Sequence, residues 1–444
     1  MVTIYQIREF VTITIGEETR PFSSNELEID KSSFDDLICF IEANEQNTEI
    51  DKAFSIFRRK GKRFIRVKNY VGIVETRSGL VIEILPKTYL DNDELDKSAN
   101  ESRAILLKLL RSLKNSPFIN LGHSHLKEKE GLPLLEIFNS SYLEELSLLI
   151  SRGLKGGYVT NEGEVNFIKG KLLVKQTLER NQTNRTKFYC KFDDFNLDIA
   201  PNRLIKSTLN LIFKTSKSST NKKKALKALQ GFEVVRASDA IDKDLVYCDT
   251  NKKLLINYGN LLSWSAIFLR NKSFISFHGN TVNQAILFPM EKLFESYIAA
   301  MMKKYCKEIK LRTQDKRFSL LGQKMHSGDQ EYSLRKFNLK PDIVINDNQI
   351  ILDTKWKILD ADSSKHGIQE GDIYQMHAYG RGYKEESHGL FPRLGLIYPK
   401  CRTFQKALPQ MRYGKEVLLD VVPFDFANKN VGEEIRSIVN HFLI

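Results

Sequence analysis

Residues 340–357 read KPDIVINDNQIILDTKWK, and three side chains in this stretch have the types and spacing to do chemistry: Asp342, Asp353 and Lys355. Two apolar runs flank Asn346-Asp347-Asn348, good turn-forming material, so 342–345 and 349–356 are expected to pair as adjacent antiparallel strands. Alternation along the second strand puts Asp353 and Lys355 on one face and Trp356 on the other. Pairing across the turn brings Asp342 towards them. Asp353 directly follows Ile350-Ile351-Leu352, a run that belongs in a buried strand, and an ionised carboxylate there is costly unless a partner compensates it. Two carboxylates converging at a strand end repel each other unless a cation lies between them. Hard oxygen ligands of this kind suit Mg²⁺, with Mn²⁺ tolerated. A neighbouring lysine could orient or deprotonate a bound water and offset charge on a phosphoryl group. These are the parts for metal-assisted hydrolysis of a phosphodiester. On these residues alone, a plain hairpin with its acids turned to water stays open as the other reading.

The surrounding elements add candidates. "GDIYQMHAYGRGY" reads as a helix on which Gln375 and Tyr379, four apart, share a face. His377 falls on a different face. The stretch 283–309 reads as one amphipathic helix carrying Glu295, a possible third carboxylate whose alternative is a surface salt bridge with Lys292 or Lys303. Strands at 395–400 and 417–425 and a terminal helix at 432–443 complete an α/β order with the acids at its centre. Upstream, residues 63–87 read as two or three strands with a turn at Ser78-Gly79 and a buried strand over 81–85 closed by Pro86. Helical periodicity follows from Glu101 and again over 134–154. Residues 157–176 suggest a hairpin or extended loop, and the polar run 216–223, "SKSSTNKK", suggests a mobile loop.

A chain of 444 residues is too long for one ordinary domain. We expect three parts: a β-rich N-terminal module over 1–125, a basic and largely helical middle over 126–282, and an α/β domain over 283–444. The net charge of +13 is concentrated in the middle, where residues 151–284 hold 23 Lys and Arg against 11 Asp and Glu. Such a field attracts polyanions, and nucleic acid is the expected partner. Lys222, Lys223 and Lys224, with Lys357 near the hairpin, are the candidate DNA contacts, although a lysine run is equally often just a solvated helix face. The five cysteines are scattered with no CxxC pair, which argues against zinc and disulfides and for a reducing cytoplasm. No signal peptide or apolar span is expected. No G-x-x-x-x-G-K-[ST] loop occurs; Gly170-Lys171 is only a fragment of one, so no nucleotide is expected to bind this chain. His123 and His125 are a weak metal pair lacking a third ligand. Trp264, Trp356 and Cys306 read as packing residues.

Pro341-Asp342, Asp353-Thr354-Lys355 and Gln375-Met376-His377-Ala378-Tyr379, in that order, resemble the PD-(D/E)xK nuclease superfamily, the last element matching its RecB-like branch. Within it the chain resembles the McrC family, the endonuclease subunits of McrBC-type restriction systems. The likeness extends to "YVGIVETRSGLVIEILPK" (70–87), "LLISRGLKGGY" (148–158), "IKGKLL" (168–173), "APNRLIKSTL" (200–209) and "LFESYI" (293–298). The resemblance implies that 283–444 is a nuclease domain with a mixed central sheet flanked by helices. It makes Asp342, Asp353 and the Thr354 carbonyl metal ligands with Glu295 as an acidic helper, Lys355 the catalytic lysine, and Gln375 and Tyr379 supports of the site. It further implies Mg²⁺-dependent cutting of double-stranded, modified DNA and a type IV restriction endonuclease role. The implied partner is an AAA+ McrB-like GTPase ring that the N-terminal half docks onto and stimulates. Dimerisation through the nuclease domain would supply two cuts. The rival expectation is a non-catalytic DNA-binding or regulatory subunit with a vestigial site. Extra length at the N-terminus and in the lysine-rich 214–227 region departs from compact family members.

Overall fold

The computed structural model describes residues 4–16, 25–43, 52–76, 79–87, 95–114, 116–121, 132–180, 187–270, 284–327, 330–347, 349–384, 391–414 and 417–443. His123, His125 and Ser78 lie outside these residues. The chain forms two compact units, one of residues 1–131 with 287–444, the other of residues 132–286. No described helix is long and apolar enough to cross a membrane.

The first unit is built on a six-stranded mixed sheet in the order Leu311–Thr313, Ile343–Ile345, Ile350–Thr354, Arg393–Pro399, Val417–Phe424, Met411–Tyr413. The three strands Ile350–Thr354, Arg393–Pro399 and Val417–Phe424 run parallel, and the outer pairings are antiparallel. All five residues of Ile350–Thr354 are buried, the continuous run expected of a parallel strand covered on both faces. On one face Val344, Ile351, Leu394, Leu396, Tyr398 and Leu419 pack with Met376, Tyr379 and Tyr383 of helix Glu370–Lys384. On the other, Gly395 lies so close to the terminal helix Val431–Leu443 that a Cβ there would sit 2.4 Å from the Phe442 ring and 2.5 Å from Leu352. Helix Met290–Tyr305 also packs on strand Ile350–Thr354. The hairpin turns through Asn346 and Asp347 at φ 48° and 53°, the left-handed region those residues tolerate best. A two-stranded ribbon, Ser319–Ser327 with Gln330–Asn338, stands in the chain between the first two sheet strands.

The expected helix over 283–309 is shorter than its periodicity suggests. Gln284–Pro289 is a strand and the helix begins at Met290, because Pro289 has no amide hydrogen to continue a helix and fits as its cap. Residues 63–87 do form three strands, Lys62–Val67, Tyr70–Glu75 and Val81–Leu85. The last two join Ile4–Arg8 and Gln284–Pro289 in a four-stranded sheet. Lys62–Val67 belongs to a second one with Phe54–Arg59, Thr12–Ile15 and Glu26–Ile29. Glu83 is fully buried in the first sheet and pairs with Arg103 at 2.6 Å.

The second unit holds a three-stranded sheet and most of the basic helices. Gly157–Val165 and Lys171–Leu172 do not form a hairpin with each other; both flank Phe188–Asn196, which comes from the basic stretch after them. Residues 216–223 are not a loop throughout, since a helix spans Ser219–Gln230. The reason is a buried acid. Glu136 accepts hydrogen bonds from Ser216 Oγ and Asn221 Nδ2, each at 2.7 Å, and from the Lys217 amide, while Ser218 caps the helix. A polar run becomes ordered because its polar groups meet one desolvated carboxylate.

Candidate active site

The hairpin register sets Ile343 opposite Leu352, so Asp342 enters the strand pair beside Asp353. Thr354 fixes it there: its amide and its Oγ1 both donate to Asp342 Oδ2, at 2.8 and 2.7 Å. Parallel pairing with Arg393–Pro399 holds the far end of the strand, where the Lys355 amide donates to the Ile397 carbonyl at 2.9 Å. Lys355 then turns its ammonium onto Asp353 Oδ2 at 2.6 Å and donates to Gln375 Oε1 at 2.7 Å. Gln375 Nε2 in turn donates to the Tyr379 hydroxyl at 2.6 Å. The four-residue spacing on helix Glu370–Lys384 is what lets both side chains reach the same place. Asp342, Asp353, Thr354, Lys355, Gln375 and Tyr379 are therefore one connected cluster.

Glu295 joins it through a residue that sequence reasoning missed. Gln314 Nε2 donates to Glu295 Oε1 and lies 3.3 Å from Asp342 Oδ1, while the Gln314 amide bonds the Asp342 carbonyl at 3.0 Å. Gln314 sits at φ 53° where the chain leaves the edge strand, and nothing in its sequence context announces that role. Asp372 was also missed. It is 6% exposed, accepts from Tyr398 Oη at 3.1 Å, and stands 3.9 Å from the Lys355 ammonium. Its position three residues before Gln375, on the same helix face, was the available signal. Lys357, expected at DNA, holds both Asp372 oxygens at 2.9 Å and Gln369 Oε1 at 2.7 Å. Lys222, Lys223 and Lys224 lie exposed on helix Ser219–Gln230 in the other unit. His377 is exposed, its ring 5.1 Å from that of Tyr413. Trp264 is buried against Phe138 and Phe268, and Cys306 is buried as well.

The electrostatics follow from crowding acids into a dry place. Burial, reinforced by Glu295, raises the Asp342 carboxyl to about 6. Burial and then the charge of Asp342 raise Asp353 to about 7. Burial raises Glu295 as well. Burial alone would lower the Lys355 ammonium, but Asp353 and the other carboxylates hold it above its ordinary value. The lysine is thus kept charged, and the acids as a group are under-compensated.

Among the described residues no group of three or more Asp, Glu, His or Cys side chains is placed to hold a metal ion. Mg²⁺ does not need one, because it binds through one or two carboxylates and completes its octahedron with water and phosphate oxygens. Asp342 and Asp353 supply that donor set: hard oxygens, close together, each raised in pKa by burial and a neighbouring acid. The residues present fit the ion.

Comparison with known proteins identifies a family and a similar fold. Residues 65–399 match the family described as "McrBC 5-methylcytosine restriction system component". The fold is similar to a chain of the refined half-complex from a tetradecameric assembly of Thermococcus gammatolerans McrB AAA+ hexamers with bound McrC. That match has a TM-score of 0.69 at 14% identity and covers 100% of both chains. A chain of the cryo-EM structure of the Thermococcus gammatolerans McrBC complex matches at a TM-score of 0.48 and 16% identity, covering 68% of this chain and 88% of that one. No curated protein matches the sequence.

Proposed function

This chain belongs to the McrBC 5-methylcytosine restriction system component family, and on that premise we propose that it is the Mg²⁺-dependent endonuclease subunit of a restriction complex. Its substrate is double-stranded, modified DNA, cut when an AAA+ McrB-like GTPase ring engages the chain and is stimulated by it. The observation that carries the reading is the convergence of Asp342, held by Thr354, with the linked series Asp353–Lys355–Gln375–Tyr379 at the same strand end. This convergence supports reading the cluster as a PD-(D/E)xK site, and the presence of both aspartates with the lysine disfavours a vestigial role.

Each side chain has a definable task. Thr354 orients Asp342 through two bonds to one oxygen, leaving Oδ1 turned towards Gln314 and Glu295. A bound Mg²⁺ would be held by Asp342 and Asp353, with the Thr354 carbonyl, and would supply positive charge at the scissile phosphate and ease deprotonation of the attacking water. Lys355, held between Asp353 and Gln375, presents a fixed positive charge to the phosphoryl oxygens. Tyr379 keeps the Gln375 amide from rotating. Attack in line releases a 3′-hydroxyl and a 5′-phosphate. Two cuts require two such sites, hence dimerisation in the active complex.

The test is plasmid cleavage with Mg²⁺, the purified AAA+ partner and its nucleotide. Asp353→Ala and Lys355→Ala are each expected to abolish cutting while the complex still assembles and hydrolyses nucleotide. Cutting at the wild-type rate by both variants would remove this assignment.

A further inference from the structure

Glu9 directly follows strand Ile4–Arg8 and is 2% exposed. Its Oε1 accepts from the Trp356 indole Nε1 at 2.6 Å and from the Lys87 amide at 3.0 Å. Trp356 is the residue after Lys355. It is 4% exposed and stands edge-on against Phe294 and Phe426, and Phe294 precedes Glu295. The same N-terminal sheet also reaches the start of helix Met290–Tyr305. There the Asn69 carbonyl accepts from the Met290 amide at 3.1 Å, and Asn69 Nδ2 donates to Glu291 Oε1 at 3.2 Å. The N-terminal segment therefore grips both chain stretches that deliver acid and lysine to the cluster. A carboxyl buried this far is an expensive way to fill space: burial pushes Glu9 up to about 7 in spite of its bonds to Trp356 and Lys87. What it supplies that an apolar residue would not is a directional acceptor for one particular indole.

We propose that Glu9 is a positioning residue for Lys355: by fixing the Trp356 indole it sets where strand Ile350–Thr354 ends and where the lysine ammonium stands against Asp353 and Gln375. This rests on the reading of the site given above. It also makes the N-terminal sheet a structural part of the catalytic centre rather than only a place for a partner to dock.

The experiment uses the full chain in its partner complex, with Glu9→Leu, Glu9→Gln, Trp356→Phe and the Glu9→Leu/Trp356→Phe double variant, and Lys355→Ala alongside. Leucine removes the acceptor, glutamine keeps one, and phenylalanine keeps the packing without the donor. The chain is also labelled with 5-fluorotryptophan, the Trp356 resonance being the one lost in Trp356→Phe. Glu9→Leu and Trp356→Phe are each expected to lower kcat about tenfold with KM for DNA within about twofold, the signature of misplaced catalytic groups. Because both break one bond, the double variant should be no slower than either single one. Glu9→Gln should restore most of the rate and leave the fluorine shift of Trp356 in place, whereas Glu9→Leu should move it. Wild-type kcat and an unmoved resonance in Glu9→Leu would overturn the proposal, as would multiplying defects in the double variant. If Glu9→Leu fails to fold, Trp356→Phe against Glu9→Gln decides the same question. Cutting by Lys355→Ala would sink the site reading and this inference together; loss of cutting there with full activity in Glu9→Leu would sink the inference alone.

Discussion

Replacing Asp353 by Asn should abolish cleavage and yet make the metal-free protein more stable at alkaline pH. The Asp353 carboxyl is 2% exposed, and burial with the charge of Asp342 lifts its pKa from 3.8 to about 7. A carboxyl whose pKa is higher in the fold than in the unfolded chain favours the fold only while protonated. Its stabilising contribution is complete below about pH 4 and is lost as pH climbs through about 7. An elevation of roughly three pH units, at roughly 1.4 kcal/mol for each, bounds the penalty at about 4 kcal/mol above pH 7. Asp342 shares the same repulsion and relaxes when Asp353 becomes neutral. Lys355 loses its closest carboxylate but keeps Gln375 at 2.7 Å and Asp372 at 3.9 Å. A net gain of about 2 kcal/mol at pH 8 is therefore expected for Asp353→Asn, shrinking towards zero near pH 4. Urea unfolding of both proteins in EDTA across that range measures it. Adding Mg²⁺ should narrow the gap, since the ion binds the carboxylate and not the amide. An Asn variant less stable than wild type at pH 8, or a gain that does not change with pH, would refute the electrostatic account of the site.

Three further expectations come from other places in the fold. Gly395→Ala puts a methyl 2.4 Å from the Phe442 ring and should destabilise the first unit by about 2–3 kcal/mol in denaturant unfolding; a loss under about 0.5 kcal/mol would mean the terminal helix can shift. Glu136→Ala strands Ser216, the Lys217 amide and Asn221 without their buried acceptor. It should cost about 2–4 kcal/mol, and hydrogen exchange at the first turn of helix Ser219–Gln230 should accelerate. Replacing Lys222, Lys223 and Lys224 together by Ala leaves exposed positions exposed, so folding should be unaffected. The slope of log affinity for DNA against log salt should fall by about two to three if these lysines meet phosphates, and an unchanged slope would show that they do not.

The centre of the site was legible because local rules determine it. A turn between two apolar runs fixes a hairpin register, alternation puts Asp353 and Lys355 on one face, and a four-residue spacing puts Gln375 beside Tyr379. Those relations depend on neighbours within about twenty residues. Glu295 could be named but not placed, because its link to Asp342 runs through Gln314 at a strand end with an unusual backbone angle. Glu9 was invisible, being 347 residues from its indole partner. The mistakes share one cause. Residues 216–223 look like a loop by polarity, and only the burial of Glu136 converts them to a capped helix. Residues 284–289 carry apolar side chains that suit helix and strand alike, and sheet pairing together with Pro289 decides between them.

The division of the first unit between residues 1–131 and 287–444 has a consequence for biosynthesis. On the ribosome, Glu9 and the N-terminal strands emerge first and find no indole to bind, because the inserted unit must be translated in between. Glu9 precedes Trp356 by 347 residues, so at ordinary elongation rates that interval is on the order of tens of seconds. Throughout it the half-formed unit exposes unfinished edges, which makes it a natural client for chaperones. Asp342, Asp353, Lys355, Gln375 and Tyr379 all lie beyond residue 341, so a nascent product stalled before that point carries none of the cluster.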